Sequence, residues 1–100
     1  MLKEVRGFIA RGIHRYTLHA QSRMADRRII DVEVREVILG PAAEVIEDYP
    51  TDKYGPSCLI YGVTKAGRTL HVQATPQGVI ITAYDPDPAE WIDLRRRGER

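Results

Sequence analysis

The chain has 100 residues, the usual size of one domain, so one core spanning residues 1–100 is expected and a second independent core is excluded. At 43% hydrophobic and 29% charged it is too apolar to stay disordered. With 15 basic against 14 acidic residues the net charge is +1, which excludes nucleic-acid binding by bulk charge and leaves only local clusters to carry it.

Leu2, Val5, Phe8 and Ile9 recur at helical spacing and predict a first helix over residues 2–11. Thr17 is a capping residue for a second, over residues 18–27, in which Tyr16, Ala20 and Met24 form the core row and His19, Arg23 and Arg27 a parallel one. Asp31 reads as the cap of a third, with Val34, Val37 and Ile38 buried; Gly40, in a left-handed conformation, and Pro41 end it. The period then changes to two. Strands are predicted over residues 44–49, 57–64, 68–75 and 79–84, with a Pro- and Gly-rich loop at 49–56 and turns at 65–67 and 75–78. The β-branched run Val79 to Thr82 marks a strand buried on both faces. Asp87, Pro88 and Glu90 carry the start signal of a short C-terminal helix docked by Trp91 and Leu94, with residues 95–100 frayed. Short turns between strands make an α+β fold: two or three N-terminal helices on one face of a four-stranded antiparallel sheet.

Arginines load the first third of the chain and Arg95 to Arg97 its end, whereas Glu44, Glu47, Asp48 and Asp52 make the middle acidic. Cys58 is the only cysteine, which fits a reducing compartment and a small buried residue rather than a nucleophile. The N-terminal residues Lys3, Glu4 and Arg6 argue against a secretory signal or a membrane span, so the cytoplasm is the expected location. No phosphate loop or zinc-type spacing is present, and neither metal nor cofactor is expected.

Candidate chemistry lies in three places. His19 and Arg23 sit one helical turn apart and project together, an imidazole to move a proton beside a guanidinium to hold a phosphate; a solvated helix surface gives the same pattern. His71, between Leu70 and Val72, shares the opposite, open sheet face with Thr69 and Gln73, where an imidazole can act as general acid or base or simply be a satisfied polar residue. Lys53 and Tyr54 occupy the long loop, and Tyr84 ends the last strand on the face of Thr82.

The runs Thr17 to Ala20 with Arg23, Met24, Arg27 and Ile29, residues 44–50 and 53–59, Leu70 to Val72 and Ile81 to Tyr84 resemble the family catalogued as domain of unknown function 4258 (DUF4258). The resemblance covers residues 16–91. That family is similar to the RelE-like and BrnT-like toxins of bacterial toxin–antitoxin pairs. The likeness implies a RelE-like order of helices and then sheet, RNA or ribosome binding on the sheet and adjoining loops, and metal-independent endoribonuclease activity on messenger RNA, silenced by an antitoxin. Carried onto this chain, it implies His19, His71 and Tyr84 as catalytic candidates and Arg23 as a phosphate holder; Arg27, Lys53 and Tyr54 join the substrate-binding candidates by position. The near-neutral charge departs from strongly basic ribonucleases of that kind. A non-catalytic protein-binding module and a homodimeric adaptor paired through an exposed edge strand are the alternatives.

Overall fold

The structure, a computed structural model, describes residues 1–98. In chain order it runs α1 (Leu2–Ala10), β1 (Arg15–Tyr16), α2 (Leu18–Arg27), α3 (Asp31–Leu39), β2 (Glu44–Tyr49), β3 (Ser57–Val63), β4 (Thr69–Ala74), β5 (Val79–Tyr84), β6 (Trp91–Ile92) and β7 (Arg96–Arg97).

Thr17 caps α2 as its chemistry dictates: the backbone is extended and Oγ1 accepts the Ala20 N–H at 3.0 Å. The same hydroxyl donates to the Ile81 carbonyl at 3.0 Å, so the cap also ties the start of α2 to β5. At α3 the prediction is corrected by one residue. Ile30, not Asp31, is the cap position, and the Glu33 carboxylate accepts the Ile30 N–H at 3.1 Å. Asp31 instead spends its carboxylate on the Tyr16 hydroxyl and on His14 Nε2, 2.7 Å away. Gly40 ends α3 with an extended backbone, φ −73°, rather than the expected left-handed one. Glycine is required there for space, since a Cβ would lie 2.7 Å from the Glu36 carbonyl oxygen.

The main sheet has five strands in the order β1-β5-β4-β3-β2. The four antiparallel strands expected from the sequence are present, but β1 adds a fifth, parallel to β5, with Arg15 opposite Val79 and Tyr16 opposite Ile80. Two residues carry no detectable period, which is why this strand escaped the pattern. The sheet is therefore mixed.

All three helices contribute to one core: Val5, Ile9, Ala20, Met24, Val34, Val37 and Ile38 cluster with Cys58, Ile60, Leu70, Val72, Ala74, Ile80 and Ala83. Each Val, Ile, Leu or Met of this set contributes roughly 1.5–3 kcal/mol of burial free energy, and the alanines less. The approach of α3 to β3 is close enough to need glycine, because a Cβ on Gly62 would meet Val37 Cγ1 at 2.6 Å and the Val37 carbonyl oxygen at 2.7 Å. Burial of the Val79 to Thr82 run is partial: Ile80 and Ile81 are buried, while Val79 and Thr82 are half-buried. Cys58 is fully buried as expected, and burial pushes its thiol up to about 11.

Arg68 joins four elements at one end of the sheet. Its Nε and Nη2 donate to the two Asp85 oxygens at 2.7 and 2.9 Å, and Nη1 reaches Glu33 at 3.2 Å. The same fork donates to the Arg27 and Arg28 carbonyls at 2.8 and 3.0 Å, filling acceptors left open at the end of α2.

The C-terminal helix is not formed. Asp87 starts one turn, its side chain accepting the Ala89 N–H at 2.8 Å and its carbonyl the Glu90 and Trp91 N–H groups at 2.9 and 3.1 Å. The chain then reverses through Asp93 and Leu94, both left-handed with φ of 53° and 59°, and β6 pairs antiparallel with β7. Residues 95–97, expected to fray, fold back instead; Glu99 and Arg100 lie outside the described residues. No helix among the described residues is long and apolar enough to cross a membrane.

Candidate functional site

Alternation along paired strands decides which side chains share the sheet face turned away from the helices. Register places Tyr61, His71 and Tyr84 side by side across β3, β4 and β5, and Glu47, Leu59, Gln73 and Thr82 in the adjacent row. The polar face read from the sequence is real. Its openness is not: His71 is 0% exposed, because the β6–β7 hairpin lies across it. Trp91 packs edge-on to the imidazole with ring centroids 4.5 Å apart, and Tyr84 and Tyr61 flank it at 5.3 and 6.3 Å.

Both imidazole nitrogens are engaged. Nε2 meets the Leu94 carbonyl, so it carries the hydrogen, and Nδ1 then accepts the Tyr84 hydroxyl at 3.2 Å. Burial lowers the His71 pKa and holds the ring neutral, against the Leu94 carbonyl and the nearby Glu47 carboxylate, which favour the charged form. Burial likewise raises the Tyr84 hydroxyl. Over the Tyr84 ring stands Arg27, its guanidinium carbon 5.9 Å from the centroid.

Beside this group, Arg97 grips Glu47 through Nε at 2.8 Å and Nη2 at 3.2 Å while lying over the Trp91 ring at 4.7 Å. The Tyr49 hydroxyl donates to the same carboxylate. Burial would raise Glu47, but the Tyr49 hydroxyl and the Arg97 guanidinium outweigh it and hold the carboxyl below its ordinary value. Burial and the Glu47 carboxylate push Tyr49 up to about 12. Arg95 covers the Tyr61 ring at 4.3 Å and pairs with Glu44 at 3.3 Å.

Of the residues singled out in the sequence, the structure brings His71, Tyr84 and Arg27 together. His19 and Arg23 do not join them among the described residues: Ala20 and Met24 turn inward, which leaves both exposed on the outer side of α2. Lys53 lies over the Tyr54 ring at 5.3 Å, and both are exposed. Their loop is nevertheless tied to the same face, since Gln73 Nε2 donates to Asp52 at 3.3 Å and to Ser57 Oγ at 3.0 Å. The pattern missed Glu47, Tyr49 and Arg97. The first two are readable as an alternating pair on β2 once the face is known, whereas nothing local to Arg97 signals a partner 50 residues away.

An imidazole hydrogen-bonded to a phenol, with a guanidinium over the phenol ring, is a set of groups that can pass a proton and stabilise negative charge; in this structure the β6–β7 hairpin covers it. Three helices on one face of a mixed sheet and a histidine-centred polar cluster on the other define a two-layer α+β domain with the potential site on the helix-free side. The chain belongs to the DUF4258 family: the family model, described as a domain of unknown function, matches residues 16–85, more than two thirds of the chain. No curated protein and no solved structure matches it.

Proposed function

We propose that this chain is a RelE-like toxin-type domain of the cytoplasm that binds RNA on its helix-free sheet face and cleaves it without a metal, under the control of an antitoxin protein. The observation carrying this reading is the gathering of His71, Tyr84 and Arg27 from three separate elements into one group. In the reaction, His71 takes the proton of a ribose 2′-hydroxyl. The freed oxygen attacks the adjacent phosphorus, the bond from phosphorus to the 5′-oxygen breaks, that oxygen takes a proton from water, and the His71 imidazolium returns the proton it removed to solvent. The products are a 2′,3′-cyclic phosphate and a 5′-hydroxyl, and no further reactant is needed. Arg27 balances charge on the phosphate and Tyr84 positions the imidazole; Lys53 and Tyr54, in the loop tied to this face, contact the flanking strand. His19 and Arg23 serve as an outer contact for the backbone.

The test is cleavage of messenger RNA by the purified protein, alone and with ribosomes, compared with His71→Ala and Tyr84→Phe. Loss of proton transfer lowers the rate by about 10²-fold or more. RNA left intact by the wild-type protein under both conditions, or a His71→Ala variant that cleaves as fast, refutes the reading. A second reading, a non-catalytic protein-binding module of the same fold, is favoured by the complete cover over His71. Binding of an antitoxin or another protein by a chain that leaves RNA untouched would select it.

A further inference from the structure

The cover over His71 is made differently from the rest of the fold. Strands β6 and β7 form their own two-stranded sheet, separate from the main one. The hairpin is held on the sheet by the burial of Trp91, 4% exposed, with its ring against His71, by the Leu94 carbonyl on His71, and by two arginine pairs: Arg97 with Glu47, and Arg95 with Glu44. Those pairs are partly solvated, with Arg97 63% and Arg95 44% exposed in their side chains. Contacts of this kind are weak individually and are screened by salt. The reversal needs two non-glycine residues, Asp93 and Leu94, in left-handed backbone, which costs about 1 kcal/mol or more each and favours release.

The hairpin also hangs from a defined link. Pro86 lies between Tyr84 and Asp87 and Pro88 lies inside the Asp87 turn, so the connection has two fixed backbone angles and leaves the sheet at one place. The family match ends at Asp85, directly before that link, so the cover lies beyond the matched region while the His71 and Tyr84 it closes lie within it.

We propose that residues 86–98 are a displaceable strap that gates His71 and Tyr84, locked by Arg97 on Glu47 and Arg95 on Glu44, and lifted as a unit about the Pro86–Pro88 link. In the closed form Leu94 occupies Nε2 and Trp91 excludes substrate from the imidazole. Lifting the strap frees Nε2 and unmasks Glu47; the ring hydrogen then moves to Nδ1, which donates to the Tyr84 hydroxyl oxygen, and Nε2 is left as the open proton acceptor. As regulation of the site this rests on the RNA-cleaving reading; as a gate over a histidine it stands apart from it.

The experiment uses the full chain and diethyl pyrocarbonate, which acylates accessible neutral imidazole, with modification at each histidine followed by peptide mass spectrometry. His19, exposed on α2, is the internal reference. In the wild-type protein His71 reacts far more slowly than His19. In Arg97→Ala and in Arg95→Ala the His71 rate rises about two- to fivefold, the population change expected from losing one partly solvated ion pair. Backbone amides of Val72 and Ile80, in the core beneath, keep their slow hydrogen exchange in both variants. A wild-type His71 as reactive as His19, or rates unchanged in both variants, overturns the strap. So do core amides that open together with His71, since the hairpin would then be part of the cooperative fold. A single-stranded RNA oligonucleotide separates the two proposals: His71 unmasked by Arg97→Ala but not protected by the RNA supports the strap and removes the RNA reading.

Discussion

Replacing Arg68 with alanine strips one end of the sheet of its common partner. The guanidinium is 28% exposed, Glu33 22% and Asp85 47%, so the site lies between a buried network and a surface pair. The Asp85 arm is the more solvated and is worth about 0.5–1 kcal/mol despite its two-pronged geometry. The Glu33 arm, better shielded, is worth about 1 kcal/mol, and each of the two helix-end carbonyls about 0.5–1 kcal/mol. Leaving two carboxylates facing each other without the cation adds repulsion, so Arg68→Ala is expected to cost about 3 kcal/mol. For a domain of this size that lowers Tm by about 12–24 °C. Urea unfolding at low salt, with the m-value checked for constancy, measures it. Lysine at this position keeps a charge but loses the fork, and should recover less than half of the loss. An Arg68→Ala protein within about 0.5 kcal/mol of wild type would refute the view that this side chain joins α2, α3, β4 and β5.

Gly62→Ala should destabilise by about 2 kcal/mol or more, because the new methyl would meet the Val37 carbonyl oxygen and force α3 off the sheet; unchanged urea unfolding would contradict that seating. The lowered pKa of His71 sets a pH dependence. The unfolded chain takes up a proton as pH falls through about 6.5, while the folded ring stays neutral until lower pH. Stability due to this group is therefore intact above that range and falls on acidification by up to about 1.4 kcal/mol per pH unit until the folded pKa is passed. Urea midpoints of wild type and His71→Gln between pH 7.5 and 5.0 should diverge in slope, with the variant flatter; parallel curves would show that the ring is not held neutral.

What the sequence made legible follows the range of the interaction. The Thr17 cap, the inward rows of α2 and α3 and the four long strands depend on neighbours within a few residues, and all of them are present. The C-terminal segment shows a local signal overruled. Asp87 does begin a turn, but docking Trp91 on His71 and Arg97 on Glu47 requires the chain to reverse, which a continuing helix would prevent. The same event explains the face of His71: alternation put the side chain on the correct side, but no pattern reports what folds over it. Strand β1 and the Arg68 clamp were invisible because each depends on partners far along the chain, the clamp reaching 40 residues to Arg28.

The pairing of β1 with β5 has a bearing on how the molecule is made. Thr17 holds the Ile81 carbonyl across 64 positions, so during synthesis the helices emerge well before the strand that anchors α2. Until then the apolar stripe of α2 lacks the strand it packs on, and any early docking partner in the cell meets a half-built molecule. Completion is thus a late closure of high sequence separation, which slows folding relative to a helical bundle of equal length.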